Sequence, residues 1–144
     1  MREIEIKLRV NDLDALEKKL TDSGLVISKE VTQHDVVYSL NDPSIFTTPR
    51  EGLLVMRIRN ENGANKLTLK RQRTHELDND EYETMFEDRE VMHNILLTLG
   101  WKPEVEVKKT RKKGKLLVPR SLGEAGGEYE VCLDRVEGLG TFME

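Results

Sequence analysis

The sequence predicts an α+β protein in which a β-sheet with one charged face is flanked by two helices. Charged and apolar residues alternate along several segments, as they do on half-buried strands. Two other segments have helical periodicity and end signals. At 144 residues, with 37% hydrophobic and 35% charged residues, the chain is long enough to bury one core. We count about seven strands and two helices, and we expect residues 1–144 to form a single domain.

The first ten residues, MREIEIKLRV, show the alternation most clearly. Successive side chains of a strand point to opposite faces, so the segment would have one apolar face and one charged face. We expect the apolar face to be core, and its members are Ile4, Ile6, Leu8 and Val10. The charged face consists of Glu3, Glu5, Lys7 and Arg9.

Two segments are predicted to be amphipathic helices. The first, NDLDALEKKLTDSG, has Asn11 or Asp12 as N-cap and Gly24 as its end. Its inward residues are predicted to be Leu13, Leu16 and Leu20. The second, EDREVMHNILLTLG, ends at Gly100. Its inward residues are predicted to be Val91, Ile95 and Leu99.

The remaining strands are predicted at QHDVVYSL, GLLVMRIRN, NKLTLKRQ, DEYETMF, PEVEVKKTRKKG and EYEVCLDRV. The second and third of these are joined by ENGAN, in which the pair Asn62 and Gly63 suits a tight hairpin. RTHELDND is predicted to be a loop.

The polar faces of these strands carry doublets of like charge. Arg57 and Arg59 share a face, as do Lys66, Thr68 and Lys70, and the same alternation pairs Lys109 with Arg111 and Glu81 with Glu83. Like charges on one sheet face repel unless opposite charges or a ligand neutralise them. Clustered carboxylates suit Mg²⁺ or Mn²⁺, and convergent Arg and Lys suit a polyphosphate. Spacing alone leaves two alternatives open: a closed barrel around a metal-bound triphosphate, or an open sheet with a solvated charged face.

Composition excludes several classes of protein. The 27 acidic and 23 basic residues give a net charge of -4, so no general field attracts nucleic acid. The single cysteine, Cys132, rules out an internal disulfide, and no apolar run is long enough for a membrane span or a signal peptide. We therefore expect a cytoplasmic protein without nucleic-acid or membrane partners; a homodimer is left open.

An ordered set of motifs resembles a known family. Glu3-Ile-Glu5-Ile-Lys7 is similar to the ExExK signature of the CYTH proteins, also called triphosphate tunnel metalloenzymes. Further segments similar to the family follow in the expected order: Gln33-His34-Asp35 with Tyr38, LVMRIR, LTLK, Glu81 with Glu83, Lys109 with Arg111, and CLDRVEGLG followed by Phe142 and Glu144. The QHDVVY and VEGLG segments are most similar to the class IV adenylyl cyclase-like branch.

The resemblance implies an antiparallel β-barrel whose charged tunnel holds a triphosphate and Mg²⁺ or Mn²⁺. The residues implied to bind metal are Glu3, Glu5, Glu81, Glu83, Asp134 and Glu144. Those implied to bind substrate phosphates are Lys7, Arg57, Arg59, Lys70, Lys109 and Arg111. Lys7, Arg59 and Glu83 are the implied catalytic residues.

The resemblance also implies an enzyme, with three open alternatives for its activity. The 3′-hydroxyl of ATP could attack the α-phosphorus, giving cyclic AMP and pyrophosphate, or water could attack inorganic or nucleoside triphosphate. The third alternative is a module that binds polyphosphate or nucleotide without turnover. Two departures from the family pattern bear on this choice: the family's closing segment ends here at Glu144, without a second carboxylate two residues on, and Asn79 and Asp80 stand where relatives often have a basic residue.

Overall fold

A computed structural model describes residues 1–40, 50–120 and 126–144. In these ranges nine strands form one sheet in the order β1-β6-β5-β4-β3-β7-β8-β9-β2. The strands are β1 (Arg2–Ile4), β2 (Leu8–Arg9), β3 (Val31–Ser39), β4 (Leu54–Glu61), β5 (Ala64–Gln72), β6 (Asp78–Phe86), β7 (Lys102–Val118), β8 (Gly127–Val136) and β9 (Gly140–Met143). The helices are α1 (Leu13–Asp22) and α2 (Arg89–Thr98). The predicted α+β class is confirmed, with two more strands than we counted.

The chain divides into two compact units. The first contains Met1–Ile6 and Gln33–Lys108, and the second contains Lys7–Thr32 and Lys109–Glu144. Each unit has its own apolar cluster. That of the first is built on Tyr38, Ile58, Leu96 and Trp101, and that of the second on Leu13, Leu25, Val131 and Leu133.

The N-terminal segment forms two short strands rather than one. β1 pairs with β6 in the first unit, and β2 pairs with β9 in the second. The prediction that its apolar residues are core is wrong for three of four: Ile4, Ile6 and Leu8 are 60%, 71% and 50% exposed. Only Val10 packs against a core cluster. Alternation shows which residues share a face, but it does not show which face another element covers.

Helix α2 packs through a different stripe from the one predicted. Met92 and Leu96 contact the core of the first unit, whereas Val91, Ile95 and Leu99 are 53%, 46% and 66% exposed. The two apolar stripes differ by one position, which is a rotation of about 100° around the helix. Periodicity finds both stripes, and only the sheet beneath the helix selects one.

Helix α1 agrees with its prediction. Asp12 is the N-cap and its carboxylate accepts a hydrogen bond from the backbone N–H of Ala15 at 2.9 Å. Leu13 is buried, and Leu16 and Leu20 pack against the same cluster. Gly24, with φ of +96°, follows the helix in the left-handed conformation that favours glycine.

The predicted hairpin between β4 and β5 is confirmed. Asn62 and Gly63 have φ of 49° and 89°, as a two-residue type I′ turn requires. The turn fixes the register that sets Arg57 opposite Thr68 and Val55 opposite Lys70. This register places the polar side chains of the two strands on one face.

None of the helices within the three described ranges has both the length and the apolar character needed to cross a bilayer.

Asp78 fastens β1 to β6, and we expect its contribution to stability to depend on pH. The buried carboxylate accepts bonds from Arg2 Nε at 2.8 Å, Arg2 Nη2 at 2.9 Å and Thr74 Oγ1 at 2.6 Å. The bonds from Arg2 and then Thr74 hold the pKa of Asp78 well below its ordinary value, against the effect of burial. Because the folded pKa is lowered, this stabilisation is present above about pH 4 and is lost as the pH falls below it.

Asp78→Asn is therefore expected to lower the free energy of unfolding at pH 7, and the deficit should shrink toward pH 2–3 when denaturant titrations are compared with the wild type. Asp22→Asn, which removes a surface pair with Lys18, serves as control and should change little at either pH. A deficit of equal size at both ends of the pH range would contradict the assignment.

Candidate functional site

The charged face of the first unit is organised by strand register. Across β4, β5 and β6, Arg57 lies opposite Thr68, and Thr68 lies opposite Glu83. In the next row, Lys70 lies opposite Glu81. Side chains opposite one another on neighbouring strands share a face and come within reach of one another. The local fold therefore brings together predicted phosphate-binding and predicted metal-binding residues of this unit.

Arg59 is buried in a bidentate ion pair with Asp35. Its Nε and Nη2 donate to the two Asp35 carboxylate oxygens at 2.8 and 2.7 Å, and the two side chains are 8% and 6% exposed. The pair follows from the β3–β4 register, which sets the two residues opposite each other. Arg59 was predicted to bind phosphate and take part in catalysis. The structure shows this edge of its guanidinium bonded to a carboxylate, and both roles stay predictions.

Arg57 differs from Arg59 in its surroundings. Its Nε is buried and has no hydrogen-bond partner among the described residues, and Nη2 reaches Thr68 Oγ1 at 3.4 Å. Glu83 Oε1 is 3.8 Å from the same nitrogen. Burial, followed by the neighbouring charge of Arg59, lowers the pKa of Arg57, but a guanidinium stays protonated in proteins. Arg57 is thus a largely buried cation, with its side chain 18% exposed, that an added anion would stabilise.

Lys70, Glu81 and Glu3 form a second group of contacts in this unit. The Lys70 ammonium contacts the Glu81 carboxylate and lies 3.7 Å from Glu3 Oε2. A hydrogen bond with Glu81, burial and repulsion between the two carboxylates raise the pKa of Glu3 to about 7. The pKa of Glu81 is lowered, because bonds from Glu3 and Lys70 outweigh its burial. The pKa values of the two neighbouring carboxyl groups are thus shifted in opposite directions.

The Glu3–Glu81 pair fits a divalent cation. Their carboxyl oxygens are the kind of ligand that a hard divalent ion prefers, and Lys70 already supplies one positive charge beside them. Glu5 is half-buried, and its charge contributes to the raised pKa of Glu3. Within the described residues, however, no three or more His, Cys, Asp or Glu side chains gather as a metal site. A metal role for the full predicted set of acids remains a prediction.

Glu83 contacts Lys66 and Thr68 rather than the other acidic residues of the predicted site. Its Oε2 accepts from Lys66 at 3.1 Å and its Oε1 accepts from Thr68 at 3.0 Å. These bonds lower the pKa of Glu83 although burial opposes the shift. Its predicted roles in metal binding and catalysis are untested by this geometry.

The second unit contains a separate cluster of buried charges, with Arg111 at its centre. Arg111 Nε and Nη2 donate to the Asp134 carboxylate at 2.7 and 2.5 Å, and Nη2 also donates to Glu144 at 2.5 Å. Lys109 Nζ lies 3.1 Å from Asp134, and Lys7 Nζ lies 2.7 Å from Glu144. The cluster thus joins three predicted phosphate-binding residues to two predicted metal ligands.

Glu144 is held as an ion-pair partner in this cluster. Its backbone pairs with that of Cys132 through two hydrogen bonds of 2.8 and 2.9 Å. Burial would raise the pKa of Glu144, but Arg111, Lys7 and Lys109 lower it to about 2. Burial would lower the pKa of Arg111, but its hydrogen bonds to Asp134 and the charge of Glu144 raise it.

The two residues that depart from the family pattern are held by local contacts. Asn79 donates its side-chain amide to the Glu76 carbonyl at 3.0 Å. Asp80 accepts from Arg71 at 2.8 Å and from Arg73 at 3.0 Å.

Sequence reasoning assigned no site role to two residues that the structure places in contact with predicted site residues. Asp35 was noted only as part of the QHD motif, and Thr68 only as a neighbour of two lysines on a strand face. The only signal in the sequence for either residue was that a polar side chain stands among apolar ones on a predicted strand. Its partner depends on strand register, which the sequence of one strand does not contain.

Comparisons with known proteins show the family to which the chain belongs. A family model described as the CYTH domain matches residues 1–144. The chain belongs to the CYTH domain family. The resemblance predicted from the motifs is confirmed, and as a family CYTH domains depend on divalent metals and bind triphosphate substrates.

Individual relatives of this CYTH domain include an archaeal protein and two solved structures. A Methanocaldococcus jannaschii protein, provisionally named an adenylate cyclase, is 30% identical over a 146-residue alignment that covers all of this chain and 75% of that protein. A Pyrococcus horikoshii structure has a TM-score of 0.74 at 25% identity, covering 98% of this chain and 75% of that one. A Vibrio parahaemolyticus structure, also provisionally named an adenylate cyclase, has a TM-score of 0.66 at 16% identity, covering 99% and 72%. The predicted CYTH-like fold is confirmed.

The pair formed by Asp35 and Arg59 is expected to be important for stability. Asp35→Ala would leave a buried guanidinium without this carboxylate, and breaking a buried pair on one side costs about 3–5 kcal/mol. Asp35→Leu combined with Arg59→Met should recover much of the loss, because neither charge then remains buried. Denaturant titrations of Asp35→Leu, Arg59→Met and the double variant measure the energetic coupling of the two residues. Losses that simply add would contradict an energetic link between the two residues.

Proposed function

We propose that this CYTH domain processes a triphosphate with the help of Mg²⁺ or Mn²⁺, in the manner of a class IV adenylyl cyclase. The observation that carries the proposal is the combination of charges in the first unit. Arg57, whose buried Nε has no partner among the described residues, lies on the same face of β4, β5 and β6 as Glu81, a member of the Glu3–Glu81 pair. An anion would accept hydrogen bonds from the Arg57 guanidinium, and the Glu3–Glu81 pair would bind a divalent cation. A metal-bound triphosphate supplies both.

Arg57 and Lys70 would act on the phosphate groups. The Arg57 guanidinium can donate to phosphate oxygens that replace its missing partner. Lys70, held by Glu81, would place an ammonium charge beside a phosphate and stabilise negative charge that develops in the transition state. In the proposed site, Arg59 would contribute charge from its fixed position on Asp35.

Glu3 and Glu81 would hold the divalent ion, with Glu5 nearby. When bound, the ion supplies Lewis-acid stabilisation and neutralises phosphate charge. Because the pKa of Glu3 is raised, binding of the ion would displace protons from this carboxyl group.

For the second unit we propose a phosphate-binding role. Lys7, Lys109 and Arg111 together carry three positive charges, against two on Asp134 and Glu144. This cluster therefore retains one net positive charge after its internal pairs are made. A phosphate group could exchange for one of the carboxylate contacts, and Lys7, which is the most exposed of the three cations at 46%, is the most accessible to it.

The relatives' names favour cyclisation over hydrolysis. The M. jannaschii relative is provisionally named an adenylate cyclase, and it matches the whole of this chain. In cyclisation the ribose 3′-oxygen forms a bond to the α-phosphorus of ATP while the bond to the pyrophosphate oxygen breaks. The 3′-hydroxyl proton is released, and pyrophosphate leaves.

Product identification tests the proposal. The protein is incubated with Mg²⁺ or Mn²⁺ and either ATP or inorganic triphosphate, and products are separated by anion-exchange chromatography. Cyclic AMP and pyrophosphate from ATP are the expected result. Orthophosphate from either substrate would replace the cyclase assignment with a triphosphatase, and binding without product would make the protein a polyphosphate-binding module. Chelation of the metal should abolish product formation.

Metal binding provides a second test. Glu3→Gln and Glu81→Gln each replace a charged oxygen ligand by a neutral amide, and each is expected to weaken Mn²⁺ binding at least tenfold in calorimetry. Glu128→Gln, in a surface pair with Lys115, is the matched control and should bind Mn²⁺ as the wild type does. Unchanged affinity in both site variants would remove these residues from the metal site.

A further inference from the structure

Among the described residues, Arg57 and Glu83 form one of two long ion pairs on this face, the other being Lys70 with Glu3 at 3.7 Å. Arg59 and Asp35 approach to 2.7 Å, and the Lys66 and Glu83 pair to 3.1 Å. Arg57 Nη2 and Glu83 Oε1, although in the same row of the sheet, remain 3.8 Å apart. This separation is too long for a hydrogen bond. The two residues stand on β4 and β6, which β5 separates in the sheet.

Thr68 lies between them. It is fully buried on β5, opposite Arg57 on one side and Glu83 on the other. Its hydroxyl donates its only proton to Glu83 Oε1 at 3.0 Å and faces Arg57 Nη2 at 3.4 Å through an oxygen lone pair. Lys66 takes the other oxygen of Glu83 at 3.1 Å. Both carboxylate oxygens are thus engaged by donors other than Arg57.

We infer that Thr68 is a positioning residue that keeps Glu83 from closing onto Arg57 and so leaves the Arg57 guanidinium available to phosphate oxygens. The inference rests on the proposed function, in which Arg57 binds the triphosphate. A direct arginine–carboxylate pair is a strong, charge-assisted interaction. If Arg57 formed it with Glu83, a phosphate group would have to displace the carboxylate before binding.

Two substitutions separate the hydroxyl of Thr68 from its bulk. Thr68→Val keeps the shape of the side chain and removes the hydrogen bonds, so Glu83 is expected to move onto Arg57. Thr68→Ser keeps the hydroxyl and removes one methyl group. We expect Thr68→Val to weaken triphosphate binding about tenfold or more, and Thr68→Ser to bind within about threefold of the wild type. Thr68→Ala also lacks the hydroxyl and replaces the valine variant if that protein does not fold.

The experiment is calorimetric titration of inorganic triphosphate, in saturating Mg²⁺, into the wild type, Thr68→Val, Thr68→Ser, Glu83→Gln and the Thr68→Val/Glu83→Gln double variant. A neutral amide cannot form the competing ion pair. The loss caused by Thr68→Val should therefore largely disappear in the Glu83→Gln background. Melting temperatures of the same samples show whether each variant is folded.

The outcomes separate this inference from the proposed function. No triphosphate binding by the wild type would overturn both. If the wild type binds, the inference alone is overturned by any of three results: Thr68→Val binds as tightly as the wild type, Thr68→Ser is as weak as Thr68→Val, or Thr68→Val causes the same loss in the Glu83→Gln background. A purely structural role for Thr68 predicts the last of these, because it does not involve the charge of Glu83.

Discussion

Buried charges must be paired, and this requirement organises the polar face in each unit of the CYTH domain. An isolated ion loses its hydration on burial, and only close opposite charges and hydrogen bonds compensate. Asp35 provides this compensation for Arg59 in the first unit, and Asp134 does so for Arg111 in the second. The strands must hold a fixed register for these pairs to form. The charged residues therefore constrain the sheet as strongly as its apolar clusters do.

Arg57 departs from this pattern in the direction that the proposed binding of a phosphate group would require. Its Nε has no partner among the residues described, and its nearest carboxylate is bonded to Thr68 and Lys66 instead. A site in which every cation were tightly paired would have to break those pairs before it bound an anion. Keeping one guanidinium incompletely paired lowers that barrier, and the surrounding pairs keep the strands in place.

How far prediction from sequence succeeded depends on how local each feature is. The α1 cap at Asp12 and the turn at Asn62 and Gly63 were predicted correctly, because backbone geometry and short-range hydrogen bonds determine them. The inward face of α2 was wrong, since two overlapping apolar stripes satisfy the same period. The burial of Ile4 and Ile6 was wrong because an alternating strand does not specify which of its faces is covered.

Motifs and side-chain alternation lie along the chain, so the sequence was sufficient to predict the family, the fold class and the residues that carry charge on each strand face. Which of these charges meet depends on the folded structure. Arg57 and Arg59 are equivalent by alternation, yet Arg59 binds Asp35 and Arg57 faces Thr68. The difference arises from the register of β3 and β5 against β4, which cross-strand hydrogen bonds and packing fix between segments distant in sequence.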